Sequence, residues 1–219
     1  QFHNEKIAIF CDKRFEDKLS DLVDIFNPID TSIIRPKVKF LSNSPFKNTI
    51  YLDTDTFITN SISDLFDLSG KFDLAAVYCH SRKRDIYSKK IYKYKSIPYG
   101  FAELNSGVIF YKKSKKIINF FNLWQKYYKD FFISTNGWDQ PSFRVALWES
   151  NIKIHVLPVE YNVRPIKILN KITKMKNKLG KIHMEPRIFH MHTEHKENRK
   201  NELEYFNKKF KKETIDIVY

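Results

Sequence analysis

The stretch Lys47–Asn60 (KNTIYLDTDTFITN) sets two carboxylates, Asp53 and Asp55, one residue apart, directly after the strand-forming run Thr49-Ile50-Tyr51-Leu52. A buried strand that ends on acidic residues places them at the carboxyl edge of a sheet, where open α/β proteins bind ligands. In extended backbone, residues i and i+2 point the same way, so both carboxylates can converge on one hard cation. Held that close, they repel each other unless positive charge lies between them. A divalent metal carrying a diphosphate supplies that charge. Two solvated turn acids would look the same in isolation. The strand before the pair, and Phe57-Ile58 resuming an apolar pattern after it, favour the metal reading.

Other residues have chemical potential and a plainer alternative. His190 and His192 lie two apart in a strand-like run, so both can face one site; the alternative is one in the core and one on the surface. A zinc cluster from His190, His192 and His195 lacks a cysteine partner and a recognised spacing. Asp139 precedes a helical pattern with Pro141 in its first turn, which suits an N-cap as well as a catalytic acid or base. Asn105 precedes Gly107 in LNSGV and could simply satisfy backbone groups there. Arg35, Lys37 and Lys39 form a basic trio near the strand mouth. Glu103 reads as a solvated acid, and Lys112, Lys113, Lys115 and Lys116 as a solvated helix start.

The elements that must position these residues follow from periodicity. Lys6–Cys11 reads as a strand, and Phe15–Phe26 as a helix with Leu19, Leu22, Val23 and Phe26 on one face, ended by Asn27-Pro28. Ser32–Ile34 is extended, and Pro36 opens a helix to about Ser42. After the acidic strand, Ser61–Leu68 reads as a short helix capped by Ser61 or Ser63 and closed by Gly70. Phe72–Tyr78 is a buried strand. His80–Pro98 is basic and Tyr-rich, and reads as a long loop or lid. Leu104–Tyr111 is a strand. Ser114–Phe131 is a helix with Ile117, Ile118, Phe121, Trp124 and Tyr128 inward, Trp138–Ser150 a helix, and Ile152–Leu157 a strand. Lys171–Lys181 is a Lys-rich segment. Arg187–His192 is a last short strand, and Glu194–Lys212 a charged helix with Leu203, Phe206 and Phe210 inward. Alternating strands and helices predict an α/β fold with a mostly parallel sheet.

Composition bounds the partners. The 219 residues are 42% hydrophobic and 16% aromatic, with 19 Phe and 12 Tyr, enough for one aromatic-rich core. The formal net charge of +14 favours anionic partners. A peripheral contact with an anionic membrane is compatible with it. Two cysteines, Cys11 and Cys79, sit in apolar runs and read as buried thiols of a reducing, cytoplasmic compartment. No apolar run is long enough to span a membrane, and no signal peptide is visible. GxxxxGK, GxGxxG, HExxH and GxSxG patterns are absent, and five glycines leave little material for a Gly-rich phosphate loop.

Taken in order, YLDTDT, LNSGVIFYKKS, WDQPSFRVALWES and RIFHMH resemble a GT-A fold glycosyltransferase over about Lys6 to His192. More narrowly, the chain is similar to bacterial and phage nucleotide-diphospho-sugar transferases related to the glycogenin and lipopolysaccharide galactosyltransferase group. The resemblance implies a GT-A-like three-layer α/β/α fold in a single domain over residues 1–219. It implies Mn2+ or Mg2+ held by Asp53, Asp55 and His190 against the diphosphate of a nucleotide sugar, with Thr54 beside it. It implies Asn105 lining the sugar pocket, Asp139 and Gln140 where donor sugar and acceptor meet, and Lys37 near the donor phosphates or sugar. UDP is the nucleotide expected from the resemblance, and a glycan or glycolipid the expected acceptor. The first visible strand matches the family's second. The family's opening strand and helix, which help hold the nucleotide base, are therefore expected on a missing N-terminal segment or a second chain.

The expected function is thus metal-dependent sugar transfer, with nucleic acid not expected as a partner. A basic nucleic-acid-binding or nuclease-like protein is the rival from another class, and a catalytically silent glycan-binding remnant is a third reading. Stacking platforms need exposed aromatics in a basic groove, whereas most aromatics here fall on buried stripes.

Overall fold

The computed structural model describes residues 5–30, 32–164 and 186–191. They belong to two compact units, Gln1–Leu52 with Ser61–Pro158, and Asp53–Asn60 with Val159–Tyr219. The Lys-rich 171–181 segment, the helix expected over 194–212, His192 and His195 lie outside the described residues.

The larger unit opens with β1 (Ala8–Cys11), a run of short helical turns that includes α1 (Glu16–Leu19), and β2 (Ile25–Pro28), which pairs parallel with β1. The helix expected over Phe15–Phe26 is therefore only partly formed. Leu22, assigned to its inner face, is 70% exposed. The Asp24 carboxylate accepts the Ile7 N–H at 2.7 Å and turns the chain into β2 instead. Next come α2 (Pro36–Phe40) and β3 (Asn48–Leu52). In the smaller unit, Asp53 opens the segment that contains β4 (Thr56–Ile58).

The main sheet adds β5 (Leu74–Tyr78) and, after α3 (Asp85–Lys90) and α4 (Tyr92–Ser96), β6 (Leu104–Lys112). Two helices follow, α5 (Lys115–Thr135) and α6 (Gln140–Glu149), and then β7 (Ile154–Leu157) completes the order β3-β6-β5-β7. Strand β6 is antiparallel to both β3 and β5, while β7 is parallel to β5. Three strands thus run one way and β6 runs against them, a mixed sheet in which two ladders are antiparallel and one is parallel. Strand β8 (Ile188–His190) belongs to the smaller unit and pairs antiparallel with β4.

Strand β6 is buried from Leu104 to Tyr111 because both faces of the sheet are covered. Ile109 and Tyr111 join the core with Phe121 and Trp124 of α5 and Phe143 of α6. On the opposite face Phe110 meets the Phe66 ring edge-on at 6.3 Å, from the 3-10 helix Ser63–Gly70. The layers form because α5 carries one apolar stripe, Ile117, Phe120, Phe121, Trp124, Tyr127 and Tyr128. Its start is set by the Ser114 hydroxyl, which accepts the Ile117 N–H at 3.3 Å. Its end is set by Asn136 and Gly137 at φ 53° and 75°, where the Gly137 N–H closes on the Phe132 carbonyl at 2.9 Å.

The loop expected over His80–Pro98 is instead largely the helical pair α3 and α4. Tyr87, Ile91 and Tyr94 recur at helical spacing and are buried. Lysines around them hide the period. Arg144 of α6, itself fully buried, donates from Nε to the Phe101 carbonyl at 2.9 Å and from Nη2 to that of Pro98 at 3.0 Å. These bonds satisfy carbonyls that the end of α4 and the following turn leave open. Glu103 is not a solvated acid. It is fully buried, accepts the Tyr94 hydroxyl and faces Arg84 Nε at 3.7 Å. Burial pushes its carboxyl above the ordinary carboxylate range.

Trp124 is fully buried, 4.6 Å from the Phe143 ring centroid, and its indole N–H reaches Ser142 Oγ at 3.1 Å. Trp124→Ala removes that packing and the indole hydrogen bond, so a loss of about 3–5 kcal/mol in urea unfolding is expected. Ile133→Asp, at a position 94% exposed on the same helix, should stay within about 0.5 kcal/mol of the parent.

Candidate metal and sugar site

In the smaller unit the two carboxylates converge through a turn, not through the extended backbone expected from their spacing. The Thr56 N–H and hydroxyl both donate to the Asp53 carbonyl, at 3.1 and 2.7 Å. Thr54 is exposed at the tip of this turn. The following strand β4 pairs with β8 in a register that sets Thr56 opposite His190. The Met191 N–H donates to the Asp55 carbonyl at 2.9 Å, which holds the turn against the end of β8. His190 Nε2 then lies 3.1 Å from Asp55 Oδ1 and 4.0 Å from Asp53 Oδ2. One ligand atom from each of the three residues falls within 4.8 Å of the others.

The other imidazole nitrogen decides what Nε2 can do. Nδ1 is 3.0 Å from Asn162 Oδ1, in the 3-10 turn Val159–Asn162. Asn162 and His190 are buried, at 3% and 2% exposure. With the amide oxygen as acceptor, Nδ1 carries the ring hydrogen and Nε2 presents a lone pair. Two oxygen donors and one fixed imidazole suit a divalent metal, and the half-exposed carboxylates leave it open to a ligand. Nothing near Asn162 in sequence marks it: it is 28 residues from His190, and the bridge between Val163 and Phe189 and the Arg187 N–H on the Glu160 carbonyl bring the two segments together.

The larger unit holds a second polar cluster, around Asp139. This carboxylate is 4% exposed. Lys37 Nζ sits 3.3 Å from Oδ2, the Ser106 hydroxyl donates to Oδ2 at 2.7 Å, and Arg35 Nε lies 3.9 Å from Oδ1. Burial alone would raise its pKa, but Lys37, Ser106 and Arg35 together hold it below the ordinary value. The Asp139 side chain makes no capping bond to α6, so the N-cap role is not taken. The pull toward Lys37 and Ser106 is the physical reason. Gln140 Nε2 donates to the Leu104 carbonyl at 2.9 Å, and Asn105 Nδ2 to Gln140 Oε1 at 3.4 Å. Asn105 Oδ1 also accepts the Gly107 N–H at 3.0 Å, the satisfied-backbone role that its sequence context allowed.

Within each unit the residues singled out from sequence are gathered. Asp53, Asp55 and His190 share one cluster; Asn105, Asp139, Gln140 and Lys37 share another. Lys39 stands over the Phe40 ring at 5.1 Å and takes no part in the Asp139 group. Ser106 was passed over inside LNSGV, although a hydroxyl beside a buried acid is a usual partner.

Comparison with known proteins bears on the family and the fold. The sequence model of the nucleotide-diphospho-sugar transferases matches residues 47–206. No curated protein sequence matches the chain. Among solved structures, the glycosyltransferase GlyE of Streptococcus pneumoniae TIGR4 is 17% identical with a TM-score of 0.55, over 88% of this chain and 49% of GlyE. An active-site mutant of LgtC is 13% identical with a TM-score of 0.53, over 92% of this chain and 95% of that one. LgtC described as a galactosyltransferase with donor and acceptor sugar analogues is 14% identical with a TM-score of 0.50. The likeness is one of fold, and it bears out the GT-A-like α/β architecture. This chain spans about half the length of the GlyE chain it matches.

Two outcomes follow from the geometry. Asn162→Ala frees the His190 ring and should weaken Mn2+ binding, read by electron paramagnetic resonance, about 10–100-fold. Lys37→Met leaves the Asp139 charge buried beside Arg35 alone and should cost about 3–5 kcal/mol at pH 7. Asp139 has a depressed folded pKa, so its contribution is present above the unfolded carboxylate value and is lost as pH falls through the folded one. The difference between parent and Lys37→Met in urea unfolding should therefore shrink on acidification below about pH 4.

Proposed function

Because the chain belongs to the nucleotide-diphospho-sugar transferase family, we propose that it is a metal-dependent glycosyltransferase. It moves a sugar from a nucleoside-diphosphate donor to a hydroxyl of a glycan, lipid-linked glycan or protein. The observation that carries this reading is the convergence of Asp53, Asp55 and His190. These three residues hold Mn2+ or Mg2+, with Asn162 fixing the imidazole. When bound, the metal acts as a Lewis acid on the leaving nucleoside diphosphate.

The chain's own residues do the rest. Thr54, exposed between the two acids, is the turn residue that meets the diphosphate. Lys37 and Arg35 keep Asp139 ionised, so its carboxylate is available to orient an acceptor hydroxyl or accept its proton. Gln140 and Asn105, tied to each other and to the β6 backbone, present fixed amide dipoles to the sugar, and such groups need no reorganisation during reaction. UDP is the proposed nucleotide by family resemblance.

A nucleic-acid reading is less well supported. Phe110, Phe120, Phe121, Trp124 and Phe143 are each at most 1% exposed and cannot stack on bases. Among the described residues no helix is long and apolar enough to cross a membrane. The free thiols Cys11 and Cys79 fit the proposed cytoplasmic setting.

The test is calorimetric titration of UDP, GDP, CDP and ADP with and without Mn2+, on the parent, Asp53→Ala and Asp55→Ala. Metal-dependent binding of one nucleotide, weakened at least about 100-fold in both variants, is the expected result. Nucleotide binding indifferent to chelator and to both substitutions would overturn the proposal. So would steeply salt-dependent binding to DNA or RNA with no response to nucleotides.

A further inference from the structure

A concave pocket of about 450 Å³ in the larger unit is lined by Lys71, Lys112, Lys115, Lys116 and Lys153, with Asp73 among them. It lies at the Lys112 end of β6, whereas Asn105 is near the other end. Seven residues of strand separate the two, about 23 Å at the usual rise. The pocket is therefore separate from the Asn105–Asp139 cluster.

Its electrostatics are lopsided. The one lining carboxylate, Asp73, already accepts the Lys153 N–H at 2.7 Å and faces Lys116 Nζ at 3.5 Å. Five lysines thus line the hollow beside one acid. Lys115 and Lys116 also occupy the first turn of α5, which contains no acidic residue. The positive end of a 21-residue helix favours acids there and disfavours lysines. Like charges gathered in a concavity focus their field outward and attract a counter-anion. A single carboxylate would leave most of that charge unanswered; a compact multivalent oxyanion would not.

We propose that this pocket binds a phosphate-bearing anion of diphosphate size or larger. Lysine serves here as a point-charge donor to phosphate oxygens, with the helix-end N–H groups alongside. The sequence alone suggested only a solvated helix start at Lys112–Lys116. The strands bring Lys71 and Lys153 to the same hollow, and that convergence distinguishes a site from a run.

The test compares two triple variants of equal net charge: Lys71→Glu/Lys115→Glu/Lys153→Glu in the pocket, and Lys18→Glu/Lys89→Glu/Lys129→Glu at exposed positions that do not line it. Each is titrated, free of divalent metal, with pyrophosphate by calorimetry. Each is also sedimented with phosphatidylcholine vesicles containing about a quarter phosphatidylglycerol. Circular dichroism and unchanged Mn2+ binding verify the fold. At least about a tenfold loss of binding to one probe in the pocket triple, with the control triple near the parent, is the expected result. Loss for pyrophosphate identifies a soluble diphosphate site, and loss for vesicles a lipid phosphate. Equal weakening in both triples would show bulk charge at work and overturn the proposal. Failure of the parent to bind either probe would overturn it as well.

Discussion

A carboxylate withdrawn almost wholly from water must be met by positive charge and hydrogen-bond donors, and Asp139 imposes that condition on the larger unit. Left unpaired, such a charge costs several kcal/mol. Meeting it requires Lys37 from α2, Ser106 from β6 and the approach of Arg35, which adopts a left-handed backbone at φ 58° to begin α2. Asp139 itself leads into α6, and its carbonyl and Ser142 share the indole N–H of Trp124 on α5. One buried charge thus ties together the reversed strand and three helices. Moving any of them would strand either an acid or a lysine, so Asn105 and Gln140 inherit a rigid frame.

The acids of the smaller unit are placed differently. Asp139 finds its countercharge within the chain, and its pKa falls in consequence. Asp53 and Asp55 are instead turned toward one nitrogen of an imidazole whose other nitrogen is engaged by Asn162. In the neutral ring this tautomer offers a lone pair at Nε2. The same residue type therefore stands in two settings: one aspartate structures the fold around itself, and two others converge with His190 in a donor set of the size a metal ion needs. This contrast in environment gives a physical reason to assign them different roles, beyond any motif.

The parts legible in the sequence were those governed by short-range periodicity. The stripe on α5 and the buried strands β5 and β6 follow from spacing, β3 forms as expected but is only half-buried, and the order of the motifs points to the fold. Asp53 and Asp55 were legible because two acids one residue apart directly follow a strand-forming run. Three things were not legible. The turn at Asp53–Thr56 depends on a threonine hydroxyl folding back, which spacing cannot distinguish from extended chain. The α3–α4 pair was masked because Lys89, Lys90, Lys93 and Lys95 lower the local apolarity while Tyr87, Ile91 and Tyr94 keep the helical period. Asn162 was invisible because its importance arises only when Val163 bridges to Phe189. The helix expected through Phe26 failed for a related reason: four apolar residues had the right spacing, but Asp24 found a better partner in the backbone of Ile7.

Formal charge is a poor guide to where this protein meets anions, because its lysines are not equivalent. Lys37 donates to the Ser106 carbonyl at 3.2 Å, Lys113 to that of Ser44 at 2.8 Å, and Lys83 to those of Lys95 and Ile97 at 2.8 and 2.6 Å. In these places the ammonium group satisfies carbonyls that turns and helix ends leave open, a structural duty for a long flexible donor. Such lysines count toward the +14, yet their donors are directed inward. What draws an anion is local imbalance: several ammonium groups converging on a hollow whose single acid is already engaged. The fold decides this by which strand ends it places side by side. A lysine run along one helix spreads its charge around the axis, whereas lysines from β6, α5, the turn before β5 and the residue before β7 line one hollow.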